Sequence, residues 1–236
     1  VTQWLGELRD DVKFASRQLK SAPGFTIVAA LTLALGIGAN SAMFALVDAA
    51  LLRPLPFPDP DQLTAVWERF QAFPRAAVSS GNLRDWIERN RTFQSMAGGL
   101  GFPRRLAAAD GTVEQVPGMQ VTTQYFDVLG VKPILGRTFL PGDVAMPPNA
   151  AVMSEGLWRT RFGADPGVIG RTVQLDEFPF TILGVVPADA QSVGPASVWT
   201  LWADLPGMDT RGLRFFRGIG RLKPGVTLDA AQSDMA

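Results

Sequence analysis

Residues 21–47, SAPGFTIVAALTLALGIGANSAMFALV, form an apolar stretch without one ionisable side chain between Lys20 and Asp48. An α-helix rises about 1.5 Å per residue, so a helix from Phe25 to Leu52 would extend roughly 42 Å and can cross a bilayer. A buried helix of a soluble protein usually keeps one polar face, whereas polar residues are scarce here. The sequence therefore predicts one transmembrane helix, assigned to residues 21–52.

A cleaved secretory signal is the second interpretation of this stretch, because basic residues precede it and small residues such as Ala39 and Ser41 suit a signal peptidase. The apolar region of such a signal covers about 7–15 residues. Here the apolar run continues past the small residues through Phe44 and Val47. The length favours an uncleaved anchor.

One flank of the predicted helix carries only small residues, which recur every fourth position: Ala30, Ala34, Gly38 and Ala42. Small residues at this spacing let transmembrane helices approach closely and pack against each other. We predict this flank as a helix-packing site whose partner helices lie outside this chain. If assembly is unchanged when Gly38 is replaced with Leu, the prediction is wrong.

Basic residues cluster before the span, at Arg9, Lys13, Arg17 and Lys20. Positive charge close to a span favours the cytoplasm, so the amino end is predicted inside and the rest of the chain outside a cell inner (plasma) membrane. Residues 1–20 also show helical periodicity. They predict an amphipathic helix on the inner membrane surface or, alternatively, a solvated helix packed on a cytoplasmic partner.

Residues 53–61, RPLPFPDPD, follow the span and contain Pro54, Pro56, Pro58 and Pro60. Proline lacks an amide donor and favours extended backbone, so the helix cannot continue here. We predict a stiff connector between the membrane and a domain formed by residues 62–236. The simpler alternative is that these prolines only end the helix.

The composition excludes several classes of function. Positive and negative charges balance at 22 each, so the chain offers no basic surface for nucleic acid. It contains no cysteine and no histidine, which excludes disulfides, thiolate metal sites and Ser-His-Asp or Cys-His catalysis within these residues. No phosphate-binding GxxxxGK[ST] motif occurs. We predict no catalytic, cofactor-binding or metal-binding residue, and no activity as an enzyme.

Residues 62–236 alternate between patterns typical of helices and of hairpins, which predicts an α+β domain. Asp110-Gly111 is a strong hairpin signal between two short strands. The predicted strands are Leu63–Trp67, Leu106–Ala109, Thr112–Val116, Ala151–Met153, Thr172–Leu175, Phe180–Val186, Val198–Leu201 and Phe216–Leu222. The predicted helices are Asn82–Phe93, capped by Ser80 or Asn82, then Thr123–Leu129, Glu155–Phe162 and one beginning near Leu228.

Asp176 and Glu177 are the acidic neighbours that most resemble a catalytic carboxylate pair. They lie in LDEFPF, between two predicted strands, where acidic residues are common in turns. We therefore interpret them as solvated turn residues.

Three long runs resemble a known family. Residues 12–63, VKFASRQLKSAPGFTIVAALTLALGIGANSAMFALVDAALLRPLPFPDPDQL, are similar to the opening of a MacB-like, FtsX-like permease of ABC transporters. Residues 151–188, AVMSEGLWRTRFGADPGVIGRTVQLDEFPFTILGVVPA, resemble the periplasmic core domain of that family, and residues 218–236, GIGRLKPGVTLDAAQSDMA, resemble the end of that domain.

The resemblance implies one transmembrane helix followed by a periplasmic core domain. This domain would comprise a βαβ porter-like half, residues 57–112 with 206–236, and an inserted β-rich half, residues 113–205. It also implies that three more membrane helices follow Ala236 and that the chain is a fragment of the transporter.

The implied function is mechanotransmission. A cytoplasmic ABC ATPase subunit brings two permeases together, as a homodimer or as two different halves, and the helix and connector carry that motion to the outer domain for export or envelope work. A membrane-anchored extracytoplasmic binding or scaffold protein without transport is the main alternative, and a hydrolase is the third.

Overall fold

The computed structural model describes residues 13–48, 55–71, 73–107, 111–144, 149–188, 190, 194–202 and 211–235. The chain divides into two compact units, Val1–Leu55 and Pro56–Ala236.

The first unit consists of helices in its described part. Helix α1 covers residues 13–21, and α2 spans Pro23–Val47, beginning with a proline that suits the first turn of a helix. No residue of α2 is buried, and α2 is the one helix of the described residues that is long and apolar enough to cross a membrane. The predicted apolar helix is confirmed, although residues 49–52 of the predicted span and residues 1–12 lie outside the described residues.

The second unit is built on a mixed sheet. Its strands in the described residues are β1 (Leu63–Val66), β2 (Val78–Ser79), β3 (Phe93–Ala107), β4 (Val113–Val121), β5 (Leu135–Gly136), β6 (Ala150–Ser154), β7 (Thr172–Leu175), β8 (Phe178–Val186), β9 (Val198–Leu201) and β10 (Arg214–Leu222). Along the sheet the order is β1-β10-β3-β4-β9-β6-β8-β5, while β2 pairs with β10, and β7 pairs with β3 and β8. Antiparallel pairs dominate, and β4–β9 and β6–β8 are parallel.

Four helices flank this sheet in the described residues: α3 (Ser80–Arg89), α4 (Tyr125–Leu129), α5 (Glu155–Phe162) and α6 (Leu228–Asp234). The side chains of Ser79, Ser154 and Thr227 cap α3, α5 and α6 by accepting a hydrogen bond from a backbone N–H three residues on. Helix α4 ends at Gly130, whose φ of 68° is favourable for glycine.

The predicted bounds of α3 were wrong at both ends. Ser79 is the cap, rather than Ser80 or Asn82, because its extended backbone lets its hydroxyl reach the amide of Asn82. The helix stops at Arg89 because Asn90 has ψ 150°, and Phe93 then opens β3.

The strand predicted to begin at Leu106 is also much longer than expected. Strand β3 has 15 residues and pairs with β10 along its first half and with β4 along its second. One continuous sheet therefore joins the segments predicted as the porter-like and inserted halves, and the boundary between those halves stays a prediction.

The core lies on the sheet in several hydrophobic clusters. The largest side chains that are fully buried include Trp199, Tyr125, Phe126 and Phe139. The rings of Phe126 and Trp199 meet edge to face with centroids 5.5 Å apart, a favourable aromatic arrangement. Helix α4 contributes Phe126 and β9 contributes Trp199, so this contact fixes a helix on the middle of the sheet.

Candidate functional site

The entry of the chain into the domain is the candidate functional site, because it contains the described part of the predicted connector. Phe57 is 6% exposed and belongs to the same hydrophobic cluster as Leu129 and Ile219. Pro58 packs against Gly130, where an added Cβ atom would lie 3.2 Å from the Pro58 ring. The connector is therefore seated in the domain core one residue after Pro56.

Arg221 of β10 holds the next part of the connector. Its Nη1 atom donates to the carbonyl oxygens of Pro58 at 3.0 Å and of Asp59 at 3.4 Å, and its Nε atom donates to that of Val128 at 2.8 Å. The guanidinium thus links the connector to the end of α4. We call Phe57, Pro58, Asp59, Gly130 and Arg221 the connector anchor.

The charge of Arg221 is unusual for its surroundings. The residue is 7% exposed, and its Nη2 atom is buried without a hydrogen-bond partner among the described residues. In the described part of the chain, its acceptors are carbonyl oxygens and not a carboxylate. A buried cation is costly to desolvate, so its retention depends on the backbone geometry that brings these carbonyls together.

Strand β1 is fixed at its other end by Glu68. This carboxylate is 4% exposed and accepts hydrogen bonds from the Ser79 amide at 2.8 Å, from Asn82 Nδ2 at 2.8 Å and from Arg214 Nε. Burial raises the pKa of Glu68, but these donors together outweigh burial and hold that pKa below its usual value. Glu68 therefore stays ionised and ties β1 to α3 and β10.

The opposite half of the sheet is tied to β3 by an ion pair. Arg104 is 8% exposed, and its Nη1 atom lies 2.8 Å from Asp176 Oδ2, while Asp176 Oδ1 accepts from the Arg105 amide at 2.8 Å. Burial raises the pKa of Asp176, and the hydrogen bonds and charges of the two arginines lower it below its usual value.

The prediction that Asp176 and Glu177 lie in a turn is confirmed, but the prediction that both side chains are solvated is wrong for Asp176. Both residues have positive φ, 52° and 74°, in the two-residue connection between β7 and β8. The Glu177 side chain is 83% exposed, as expected, whereas that of Asp176 is 25% exposed and paired with Arg104. Asp176 is therefore a structural tie and not a solvated turn residue.

The predicted site residues fall into two groups, one on α2 in the first unit and one in the connector, whose described prolines lie in the second unit. Ala30, Ala34, Gly38 and Ala42 are exposed on α2, and an added Cβ at Gly38 would meet no atom within 4 Å. Among the connector prolines, Pro56, Pro58 and Pro60 are described and Pro54 lies outside the described residues. The role of each set stays a prediction.

Sequence reasoning missed Arg221, Glu68 and Phe57. A signal existed for Arg221, since it stands between Gly220 and Leu222 in the segment predicted as the strand Phe216–Leu222, where Arg217 is the other charged residue. A charged residue inside such a strand requires a buried partner. Glu68 carries no comparable signal because it lies outside β1, two residues after that strand ends at Val66.

A family model of the MacB-like periplasmic core domain matches residues 26–236. The chain belongs to this family. It therefore carries the periplasmic domain of an ABC-type permease, and its apolar helix together with that domain fits a protein of the inner membrane.

Curated relatives include proteins named macrolide export ATP-binding/permease protein MacB. The chain is 30% identical to that of Burkholderia thailandensis over 82 residues, which are 35% of this chain and 13% of the relative. It is 32% identical to that of Neisseria gonorrhoeae over 83 residues, again 35% and 13%. For Burkholderia pseudomallei strain K96243 the identity is 27% over 118 residues, 49% and 18%. The matches thus span less than a fifth of each relative.

Solved structures share the fold of the MacB-like core domain. The periplasmic region of MacB from Actinobacillus actinomycetemcomitans superposes with a TM-score of 0.56 at 18% identity, covering 73% of this chain and 78% of the other. A domain of a putative permease protein from Porphyromonas gingivalis gives 0.61 at 20% identity, with 74% and 81% covered. The extracellular domain of the noncanonic ABC-type transporter YknZ from Gram-positive bacteria gives 0.51 at 15%, with 73% and 86% covered.

Proposed function

We propose that the MacB-like core domain receives motion from the membrane through its connector and passes it on as a rigid body. The energy comes from ATP binding and hydrolysis by a cytoplasmic ABC ATPase subunit. The work is export or another task in the cell envelope. The amino end lies in the cytoplasm and the domain lies outside the membrane.

The connector anchor is the observation that carries this proposal. A flexible tether would absorb a displacement, whereas here Phe57 is in the core and the carbonyls of Pro58 and Asp59 are bound to a buried guanidinium. Leu63 then pairs directly with Arg221 in the ladder between β1 and β10. A push or pull on residue 56 thus reaches the second strand of the sheet through side-chain and backbone contacts.

The continuity of the sheet extends this path. Strand β3 hydrogen-bonds to β10 on one side and to β4 on the other, and the Arg104–Asp176 ion pair joins β3 to the β7–β8 turn. Close-packed protein interiors transmit a displacement with little compression. The two predicted halves of the domain therefore respond together.

The proposed partners are the membrane, the ATPase subunit and a second permease, identical or not. The small-residue flank of α2 is the proposed packing surface within the membrane. Replacing Gly38 with Leu is expected to weaken assembly. Gly36→Leu is the matched control, since Gly36 is also exposed on α2, has no atom within 4 Å of an added Cβ and lies on the opposite side of the helix.

Distance measurement between two spin labels tests the coupling. The chain has no cysteine, so Glu177→Cys gives one labelling site on a side chain that is 83% exposed. The permease that contains this chain is placed in lipid nanodiscs with its ATPase. Double electron–electron resonance then measures the distance between the spin labels on two copies, without nucleotide and with trapped ATP. We expect the distance between domains to change on ATP binding.

Loosening the connector is expected to reduce that change while ATP hydrolysis continues. The variant replaces Pro56 and Pro58 with glycine, which adds backbone freedom. Pro141→Gly is the control, because Pro141 is exposed and lies in a short 3₁₀ helix far along the chain from the connector. An unaltered ATP response in the connector variant contradicts transmission through this segment. A distance indifferent to ATP in the parent protein supports a scaffold instead.

A further inference from the structure

The chain between β1 and β2 forms an antiparallel arm, whose described residues are 67–71 and 73–77 and which we call the β1 arm. The guanidinium carbon of Arg214 lies 4.2 Å from the centre of the Phe70 ring, and Arg214 also pairs with the Glu68 carboxylate. Two residue pairs exchange backbone hydrogen bonds across the arm at 2.9 to 3.1 Å, Glu68 with Ala76 and Phe70 with Phe73. These contacts make the arm an ordered extension of β1.

The outer edge of the β1 arm has no partner strand among the described residues. Backbone N–H and C=O groups alternate between the two sides of an extended strand, and those of Glu68 and Phe70 face the returning half of the arm. Those of Trp67 and Arg69 therefore face the other way, and no described residue hydrogen-bonds to them. Strand β1, which leads into the arm, is likewise the last strand in the order along the sheet. An unpaired edge of this kind is a template for a strand of another chain.

A groove follows this edge. Its volume is ≈ 950 Å³, in the upper part of the range of about 300–1,000 Å³ for ordinary ligand sites. Residues 64–70 line it without interruption, and Trp86 of α3 and Leu228 of α6 line it from the helices. No residue of the connector anchor lines it. A strand added to the edge would lie in this groove, between the β1 arm and the two helices.

The groove contains two arginines that no described acid neutralises. Arg69 and Arg75 line it, both are exposed, and neither forms an ion pair with a described residue. Because Glu68 pairs with Ala76, the two arginines face each other across the arm, where like charges are unfavourable. Glu68 is the one acid among the described lining residues, and its buried carboxylate is already paired with Arg214. The groove therefore has a positive charge that an acidic ligand would neutralise.

Aromatic side chains adjoin these arginines. Trp67 is 40% exposed and Phe70 is 38% exposed, and both line the groove. Tryptophan and arginine are among the residues most enriched in the hot spots of protein interfaces. A small anion would use the arginines alone, whereas a polypeptide would also use the aromatic rings and the free backbone edge.

We propose that the groove binds an extended acidic segment of another protein, which adds as a strand to the outer edge of β1 and its arm. Its backbone hydrogen-bonds to Trp67 and Arg69. Acidic residues at alternate positions share one face of the added strand and meet Arg69 and Arg75, and apolar residues on the other face meet Trp86 and Leu228. A second copy of this chain would bring the same two arginines to the same edge, so like charge disfavours it. This docking is independent of transmission through the connector.

Fluorescence anisotropy tests the docking with the full chain in nanodiscs of uncharged net lipid charge. The probe is a dye-labelled peptide that alternates glutamate with valine over about eight residues, a usual strand length. We expect it to bind about tenfold more tightly than the same peptide with glutamine in place of glutamate, because an exposed ion pair contributes up to about fivefold. N-methylation of alternate amides keeps the charge and removes backbone donors, and it should weaken binding by about tenfold or more.

The arginines have their own test. Arg69→Gln and Arg75→Gln should each weaken binding of the acidic peptide by about threefold to fivefold and leave binding of the glutamine peptide unchanged. Lys132→Gln is the matched control, because Lys132 is also an exposed cation and does not line the groove. Circular dichroism establishes that each variant is folded.

Three results would overturn the proposal. The first is equal binding of the acidic and glutamine peptides to the parent protein, and the second is undiminished binding of an N-methylated peptide. The third is self-association of the chain that the acidic peptide displaces, which would assign the edge to a second copy. Binding of the acidic peptide that depends on its amides and on both arginines supports the proposal, whether or not the domain moves with ATP.

Discussion

Replacing Arg221 with methionine removes the guanidinium of the connector anchor while keeping most of its aliphatic chain. Three contacts disappear, two of them close to ideal length at 2.8 and 3.0 Å and one longer at 3.4 Å. The carbonyls of Val128 and Pro58 then lose a charged donor in a poorly solvated place. Hydrogen bonds to charged groups are worth about 1.5–3 kcal/mol each.

The net loss is smaller than the sum of these bonds, because the substitution also removes a buried cation with an unpartnered Nη2 atom. We expect the free energy of unfolding to fall by about 2–3 kcal/mol for Arg221→Met. Arg221→Lys keeps the charge, but a single ammonium group cannot replace both the Nε donor to Val128 and the Nη1 donor to Pro58. We therefore expect the free energy of unfolding to fall by about 1–2 kcal/mol.

Urea denaturation of the protein in nanodiscs, followed by tryptophan fluorescence, measures this loss. With a slope near 2 kcal/mol per molar urea, 2–3 kcal/mol lowers the midpoint by about 1–1.5 M. Amide hydrogen exchange locates the effect, which should be greatest in peptides that cover residues 56–63. Lys223→Met is the control, since Lys223 Nζ also donates to a carbonyl, that of Arg91, but at an exposed position.

The reasoning fails if Arg221→Met unfolds with the same midpoint as the parent protein. It also fails if the midpoint falls but exchange in residues 56–63 is unchanged, because Arg221 would then stabilise the domain without holding the connector.

Three further predictions concern the domain. Glu68→Gln should lower the unfolding free energy near pH 7 by about 2–3 kcal/mol. The folded-state pKa of Glu68 lies below its ordinary value of 4.5, so its ionised form stabilises the fold fully above pH 4.5, and this stabilisation is lost as the pH falls through the folded-state pKa. Calorimetry should therefore find that the stabilities of the variant and the parent protein converge in acid. Gly184→Ala should cost about 3 kcal/mol or more, because its Cβ would lie 2.1 Å from a backbone oxygen, whereas Gly101→Ala should be neutral or stabilising in the same thermal melts. Asp176→Asn should cost about 1–3 kcal/mol in urea titrations, and Glu177→Gln, on the same turn but exposed, should have almost no effect.

The sequence predicted elements whose signal is local. The apolar helix α2 follows from the absence of charge over its whole length, and α5, β7 and β9 have the predicted bounds. The turn at Asp176 follows from two polar residues between apolar alternation. In each case the deciding residues are neighbours in the chain, so tertiary contacts were not needed to identify the element.

Strand β3 could not be predicted to its full length, because Gly98, Gly99, Gly101 and Pro103 lower its strand propensity. Hydrogen bonds from β10 and β4 on its two sides override that propensity. The connector anchor was missed for a related reason. Arg221 and Pro58 are 163 residues apart in the chain, and no local pattern reports that they meet.

The pairing of β1 with β10 has a consequence for how the domain is made. Leu63 needs Arg221 as its ladder partner, and about 160 residues must be synthesised between them. At about 5–20 residues per second, β1 waits on the order of ten seconds or more before its partner exists. During that interval β1 has no pairing partner in β10, and Phe57 lacks Ile219 of its hydrophobic cluster. Newborn chains therefore depend on protection from aggregation until β10 arrives, and a ribosome pausing before residue 214 would lengthen that dependence.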